Sequence, residues 1–456
     1  MKSTTHKKPA HPTTPWVVVA LGVAFALCGC DASGERGKTK ATPNTSVAAA
    51  ARVQEREGRG AWALCAAPPV GGSAIDVALR EQEQRATKSP ESLEPLLALG
   101  ATWVQKARDS SDPGFYLNAN ACADAVLALS PGNRLAENLR GFSLLNDHRF
   151  REARELETQL LAQNADDPTA YGTLSDAELE LGDVTAAEHA AQRMLDLKPS
   201  LASYSRGAYL RWLHGDLAAT KRLGAQAIRA GREAKDKEPL AWVLVQAALV
   251  FWNEGDYDGA QAGFALALTD SPGYAPALVG EGRVALAAGH YAAAATSFEQ
   301  AFAKAPLVET AWLLGDAKRL AGDTAGADKA YATVVSRGRL HDPRTLSSFL
   351  SSHHGDAAEA VRLARAEYAE RPGPYTTDAL AWALYRAGSY AEARALSDVV
   401  VALGVRDARI LYHAGAIRVA NGDASGKKLV RRALALNPAF DVVEAEEARQ
   451  LVAHDV

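Results

Sequence analysis

Glu254-Gly255-Asp256-Tyr257-Asp258-Gly259-Ala260, followed by Phe264, Ala267 and Pro272, is the stretch that decides the fold. Gly-Asp or a near variant recurs at Gly182, Gly215, Gly255, Gly289, Gly322, Gly355, Gly388 and Gly422, at steps of 33, 40, 34, 33, 33, 33 and 34 residues. A period of that length marks a solenoid of small units, none of which can bury its apolar face alone. The stretch reads as one unit's turn and second helix. Gly, lacking a Cβ, takes the left-handed conformation that closes a first helix. Asp starts the turn and offers an oxygen to the amides of the next helix. Ala260 sits where two helices touch most closely, Phe264 four residues later fills the seam, and Pro272 ends the helix.

The same texture returns with Gly289, Tyr291, Ala294, Phe298, Ala301 and Pro306, with Gly182, Ala187, Ala191, Met194 and Pro199, and with Gly388, Tyr390 and Ala393. These strings resemble the tetratricopeptide repeat. The resemblance covers about three quarters of the chain and implies an all-α, right-handed α-α superhelix of about ten helix pairs. Units begin near Arg134, Pro168, Leu201, Ala241, Ala275, Val308, His341, Pro374 and Ala408, after a degenerate first unit from Glu91 to Pro131. That first unit carries about seven extra residues in its inter-helix loop, within Ala107 to Tyr116, and Gly231 to Glu238 is a second insertion. The resulting division is 1–29 signal peptide, 30–60 tether, 61–90 lead-in segment and helix, 91–440 repeats and 441–456 capping helix. Ile75, Val77 and Leu79 form the apolar side of the lead-in helix. Asp441 to His454 reads as a solvated end cap, with Glu444, Glu446 and Glu447 at its exposed acidic start.

Composition narrows the function. The 456 residues are 48% hydrophobic with only two Met, and an unbroken period makes one elongated domain a better count than several globular ones. Fifty Lys and Arg against 54 Asp and Glu leave a net charge of −4, so no basic field exists for nucleic acid, which is not an expected partner. Gly280-Glu281-Gly282 lacks a third Gly and falls inside a helix, so it is no nucleotide loop. No nucleophile elbow, His-Glu-x-x-His or Cys-x-x-Cys appears, and neither catalytic residues, cofactor nor metal is expected. His148, His214, His290, His353 and His354 recur near the inter-helix turns, where an imidazole meets the last carbonyls of a helix rather than a metal.

Lys2, Lys7 and Lys8 precede an apolar run, Trp16 to Leu27, of twelve residues. That suits a signal peptide and falls short of the ~20 residues of a spanning helix. Leu27-Cys28-Gly29-Cys30 resembles the lipobox of bacterial lipoproteins, with Cys28 an unusual second residue. The resemblance implies cleavage before Cys30 and a diacylglycerol on its thiol, holding an exported chain on the periplasmic or cell-surface side of a bacterial membrane. Asp31 resembles an inner-membrane retention signal, a rule confined to some bacterial groups. Cys65 and Cys122 then remain as an even pair in an oxidising compartment, either a disulfide or two buried packing thiols.

The repeat resemblance also implies that first helices line the concave face. That frame places Tyr209, Trp212, Trp242, Trp252, Trp312, Phe349, Trp382, Tyr385 and Tyr412 on or near it, with Arg283, Arg319 and Arg386 alongside. Aromatics beside Arg dominate recognition patches, although a one-residue shift turns most of these side chains into seam packing. The expectation is a membrane-anchored scaffold or adaptor that binds a protein segment or peptide in its concave groove, in cell-envelope assembly or regulation. The alternatives are a glycan or small-molecule receptor in the same Trp-rich groove and an enzyme of unrecognised type.

Overall fold

The computed structural model describes residues 60–110, 112–234 and 237–453. The signal peptide, Cys30 and all but the last residue of the tether lie outside the described residues. Twenty helices form ten pairs: Leu93–Ser110 with Phe115–Leu129, Arg134–Asn146 with Phe150–Gln163, Pro168–Glu180 with Val184–Leu197, Leu201–Leu213 with Leu217–Ala234, and Lys237–Asn253 with Tyr257–Asp270. The second five are Ala275–Ala287 with Tyr291–Lys304, Val308–Leu320 with Thr324–His341, Pro343–Ser352 with Ala357–Glu370, Pro374–Arg386 with Tyr390–Ala402, and Ala408–Ala420 with Gly426–Leu436. Ala74–Lys88 leads in and Glu444–Ala453 follows the last pair. Each helix packs on its sequence neighbours, and no strand occurs among the described residues.

The Gly-Asp dipeptide closes one helix and opens the next. Gly182 has φ 86°, its amide donates to Leu179 O, and the Asp183 amide reaches back to Glu178 O. The Asp183 carboxylate accepts from the Ala186 amide at the start of the second helix. Asp216, Asp256, Asp323 and Asp356 cap their helices in the same way. Two repeats replace the glycine: His148 and His354 take the positive φ, at 57° and 54°. In repeat eight the left-handed residue is therefore His354, and Gly355 is the next residue, donating to Leu350 O.

Both insertions lengthen helices more than loops. The first helix of repeat one runs 18 residues, to Ser110. The extra length after repeat four goes into Leu217–Ala234 and into Lys237–Asn253, which starts before Ala241. Adding turns satisfies the backbone internally, which an open loop of that length cannot do. Repeat eight starts at Pro343 with Asp342 as its cap, while His341 ends the preceding helix.

At the N-terminal end Cys65 and Cys122 are joined by a disulfide. It holds the helical segment 60–65 against repeat one, where Trp103 Nε1 donates to Cys65 O. Ser73 caps the lead-in helix, whose Ile75 and Leu79 are buried; Val77, expected beside them, is exposed.

The superhelix also stacks on itself. The turns at Gly182, Gly215 and Gly255 meet the backbone near Pro372, Gly404 and Leu436, about 190 residues further along. Arg151 donates to Ala369 O and pairs with Glu370, Trp212 Nε1 reaches the Tyr375 hydroxyl at 3.4 Å, and His214 contacts Leu403 O. Tyr257 donates to Asn437 Oδ1 at 2.7 Å, and Asn437 Nδ2 donates to Trp252 O at 2.8 Å. Turns of repeats two to five thus rest on the connections between repeats eight, nine and ten and the final helix.

Candidate functional site

Packing closes off most of the expected groove aromatics. Trp212, Trp252, Trp312, Phe349, Trp382 and Tyr412 are each no more than 6% exposed, so they pack the interior and offer no open surface. Trp312, Phe349, Trp382 and Tyr412 pack in the seams between neighbouring repeats, whereas Trp212 and Trp252 meet Tyr375 and Asn437 of the stacked repeats. Tyr209, Trp242 and Tyr385 are half-buried, packed against neighbouring repeats. Arg283 pairs with Glu309 at 2.6 Å. Arg319 is exposed, pairs with Asp328 and lies over the Tyr331 ring. Arg386 lies over the Trp382 ring at 4.5 Å.

The most elaborate cluster sits on the inner face of repeats seven to ten. Trp382 stacks on His413 at 4.1 Å and on Tyr385 at 4.7 Å. His413 donates from Nδ1 to Asp378 at 2.8 Å, and its Nε2 faces Glu444 at 3.2 Å. Burial opposes charge on this imidazole, but the two carboxylates outweigh it and push His413 up to about 9. Burial likewise works against the Glu444 carboxylate, and His413 and Arg409 overcome it, holding Glu444 down at about 2. Beside them His353 bonds Asp316 at 2.9 Å, and Tyr331 donates to the same oxygen at 2.7 Å.

Glu444 corrects the expectation of a solvated acidic helix start. It is fully buried and accepts from Ser352 as well as His413, with Arg409 Nε at 3.5 Å. Glu447 accepts from His354 at 2.6 Å, Arg386 at 2.6 Å and Tyr412 at 2.8 Å. Asp441 caps the helix through the Val443 and Glu444 amides and accepts from Arg409 at 2.9 Å. Glu446 stays exposed. The final helix is therefore seated on the concave face through its acidic flank. The sequence did carry a signal for this, since Asp441, Glu444 and Glu447 recur every three residues; nothing local said that groups as distant as Ser352 and His354 would meet them.

A separate buried carboxylate, Glu157, has neither oxygen bonded. It lies over Gly141 as the Phe298 ring lies over Gly282 and the Tyr331 ring over Gly315, so it fills an aromatic's place. Burial, with Asp167 and Glu137 nearby, pushes its pKa well above the usual carboxylate range. Among the described residues no group of three His, Cys, Asp or Glu side chains is arranged to hold a metal ion.

Ten helix pairs, those of repeats two to ten each turning through a left-handed residue, define an α-α solenoid of the tetratricopeptide type. No family model matches the chain, and neither does any curated protein. Solved structures similar to it include PilW, a widely conserved type IV pilus biogenesis factor, at 15% identity over 44% of this chain and 91% of that one, TM-score 0.38. A tetratricopeptide repeat protein from Parabacteroides merdae is 17% identical over 60% of this chain and 99% of its own, TM-score 0.39. A human IFIT1 dimer with m7Gppp-AAAA is 14% identical over 85% and 95%, TM-score 0.45. At these identities the likeness is one of repeat architecture alone.

Proposed function

We propose that this chain is a lipid-anchored solenoid scaffold of a bacterial cell envelope, exported and held by Cys30, that binds a segment of a partner protein. The observation that carries the reading is the inner face of the last repeats, which presents Arg, His, Tyr and Ser donors to a helix and already holds one. Converging polar side chains on the concave side of a solenoid are the arrangement by which such folds recognise a segment of another chain. Export and anchoring rest on the basic start, the twelve-residue apolar run and Leu27-Cys28-Gly29-Cys30. No helix among the described residues is long and apolar enough to cross a membrane. Burial of Trp212, Trp252, Trp312 and Trp382 leaves the alternative of a glycan or small-molecule receptor with only the half-buried Trp242 of the expected Trp residues to support it.

The test is photo-crosslinking in envelope preparations of a bacterial host, with the crosslinker at Tyr385 or Arg319 on the inner side and at Val399 on the outer side. Inner positions should give discrete protein adducts and Val399 none. No protein adduct at either inner position sinks the reading. Cys30→Ala should shift the chain from the membrane to the soluble fraction; unchanged partition removes the anchor.

A further inference from the structure

We propose that the concave face of repeats eight to ten is a receptor for an acidic helix of a partner protein, with carboxylates at three-residue spacing. The chain's own final helix, Glu444–Ala453, is its resident and displaceable occupant. This inference rests on the scaffold reading and names the chemistry of the segment bound.

Asp441, Glu444 and Glu447 are spaced by three, which places them along one flank of the helix and its cap. Each is met by side chains of the repeats, with Arg409 touching two of the three. Asp441 is held by Arg409, Glu444 by Ser352 and His413, and Glu447 by His354, Arg386 and Tyr412. Those six side chains come from the first helices of three successive repeats and the turn after one of them. A helix that only capped the solenoid would need the last pair alone. Ala445 and Ala448 do bury their methyls at the end of the solenoid. The carboxylates reach two repeats further back, so the recognition belongs to the concave face.

The receptor is held ready by its own packing. Trp382 packs against both the His413 ring and the Arg386 guanidinium, and Asp378 accepts from His413, which fixes two of the six donors before any carboxylate arrives. The occupant is not self-supporting. A ten-residue helix is marginal in water, since isolated helices shorter than about 12–15 residues rarely persist. Its outer residues Glu446, Arg449 and Gln450 are exposed among the described residues. A competing acidic helix could exchange with it while the repeats stay as they are, against the concentrating effect of the covalent link.

The experiment uses the full chain and a labelled synthetic peptide copying residues 438–453. In one protein Glu444→Gln and Glu447→Gln weaken the resident helix; the other is unaltered. The weakened chain should bind the peptide roughly ten-fold or more tightly than the unaltered one. A peptide with Gln in place of Glu444 and Glu447 should lose at least about ten-fold in affinity, and Arg409→Ala in the weakened chain should abolish binding. Equal affinity of the two proteins, or no binding by a weakened chain with unchanged circular dichroism and melting, overturns the proposal. Should the weakened chain unfold, hydrogen exchange on the unaltered chain decides. Amides of Glu444–Ala453 opening faster than those of Ala408–Ala420 support it, and exchange of the two helices as one unit overturns it. Crosslinked partners in equal yield on both proteins defeat this inference alone, whereas absence of partners on both defeats the scaffold reading as well.

Discussion

Gly215 and Gly289 look alike in sequence and do different work. Both have positive φ, 69° and 76°. A Cβ at Gly289 would meet nothing within 4 Å, whereas at Gly215 it would lie 2.5 Å from Gly404 O. Gly289→Ala should therefore cost only the left-handed penalty, about 1 kcal/mol. Gly215→Ala should cost more, about 2–4 kcal/mol, because the second superhelical turn must also move away. Urea denaturation of the two variants checks this, and equal losses would mean that the stacking contributes nothing. Glu157 poses the opposite case, a residue that destabilises. Its folded pKa is raised, so the fold tolerates it neutral: the stability it permits is complete below the unfolded carboxylate range and is lost as pH rises toward the folded value. Glu157→Gln should stabilise repeats two and three by about 1–3 kcal/mol at pH 7 and leave them unchanged at pH 4, read by hydrogen exchange. A gain independent of pH would assign the effect to shape.

At the scale of the element, the final helix is bound by titrating groups, and the signs follow from their shifts. Against burial, His413 is raised to about 9 by Asp378 and by Glu444, and unseating the helix removes only Glu444, so its contribution to docking is full while the imidazole of the open state stays protonated and is lost as pH climbs through 9. Glu444 is lowered, so its contribution is present above the usual carboxylate range and lost as pH falls toward 2. Docking should be strongest above the usual carboxylate range and below the pH at which the open-state imidazole deprotonates. The opening free energy of Glu444–Ala453 from hydrogen exchange, corrected for intrinsic rates, should drop between pH 6 and 9, and His413→Asn should flatten that profile. A wild-type profile already flat would show that the imidazole is not charged. Helix boundaries were largely legible in the residues, because caps are local: repeat starts at Arg134, Pro168, Leu201, Ala275, Val308, Pro374 and Ala408 are where helices begin. The aromatic positions were legible as a helical face. Their burial was not, because it depends on how the next repeat seats against each ring and, for Trp212 and Trp252, on residues 163 and 185 positions away, while the seat of Glu444 joins residues 92 apart.

For the whole molecule the question is whether neighbour-only coupling, the usual rule for a solenoid, still holds. Asn437 is the sharpest probe. It lies between repeat ten and the final helix, yet its side chain donates to Trp252 O and accepts from Tyr257, both in repeat five. The residue is buried, so removing it leaves a buried carbonyl and a phenol hydroxyl without those partners, at about 1–3 kcal/mol. Asn437→Ala should lower hydrogen-exchange protection in Lys237–Asn253 and Tyr257–Asp270 as well as in Gly426–Leu436, with repeats one and seven little changed. Loss confined to repeat ten would mean the turns merely touch. Loss in repeats five and ten together would show that stacking closes the solenoid into one cooperative body, in which opening the seat of the final helix also loosens repeats some 180 residues away in sequence.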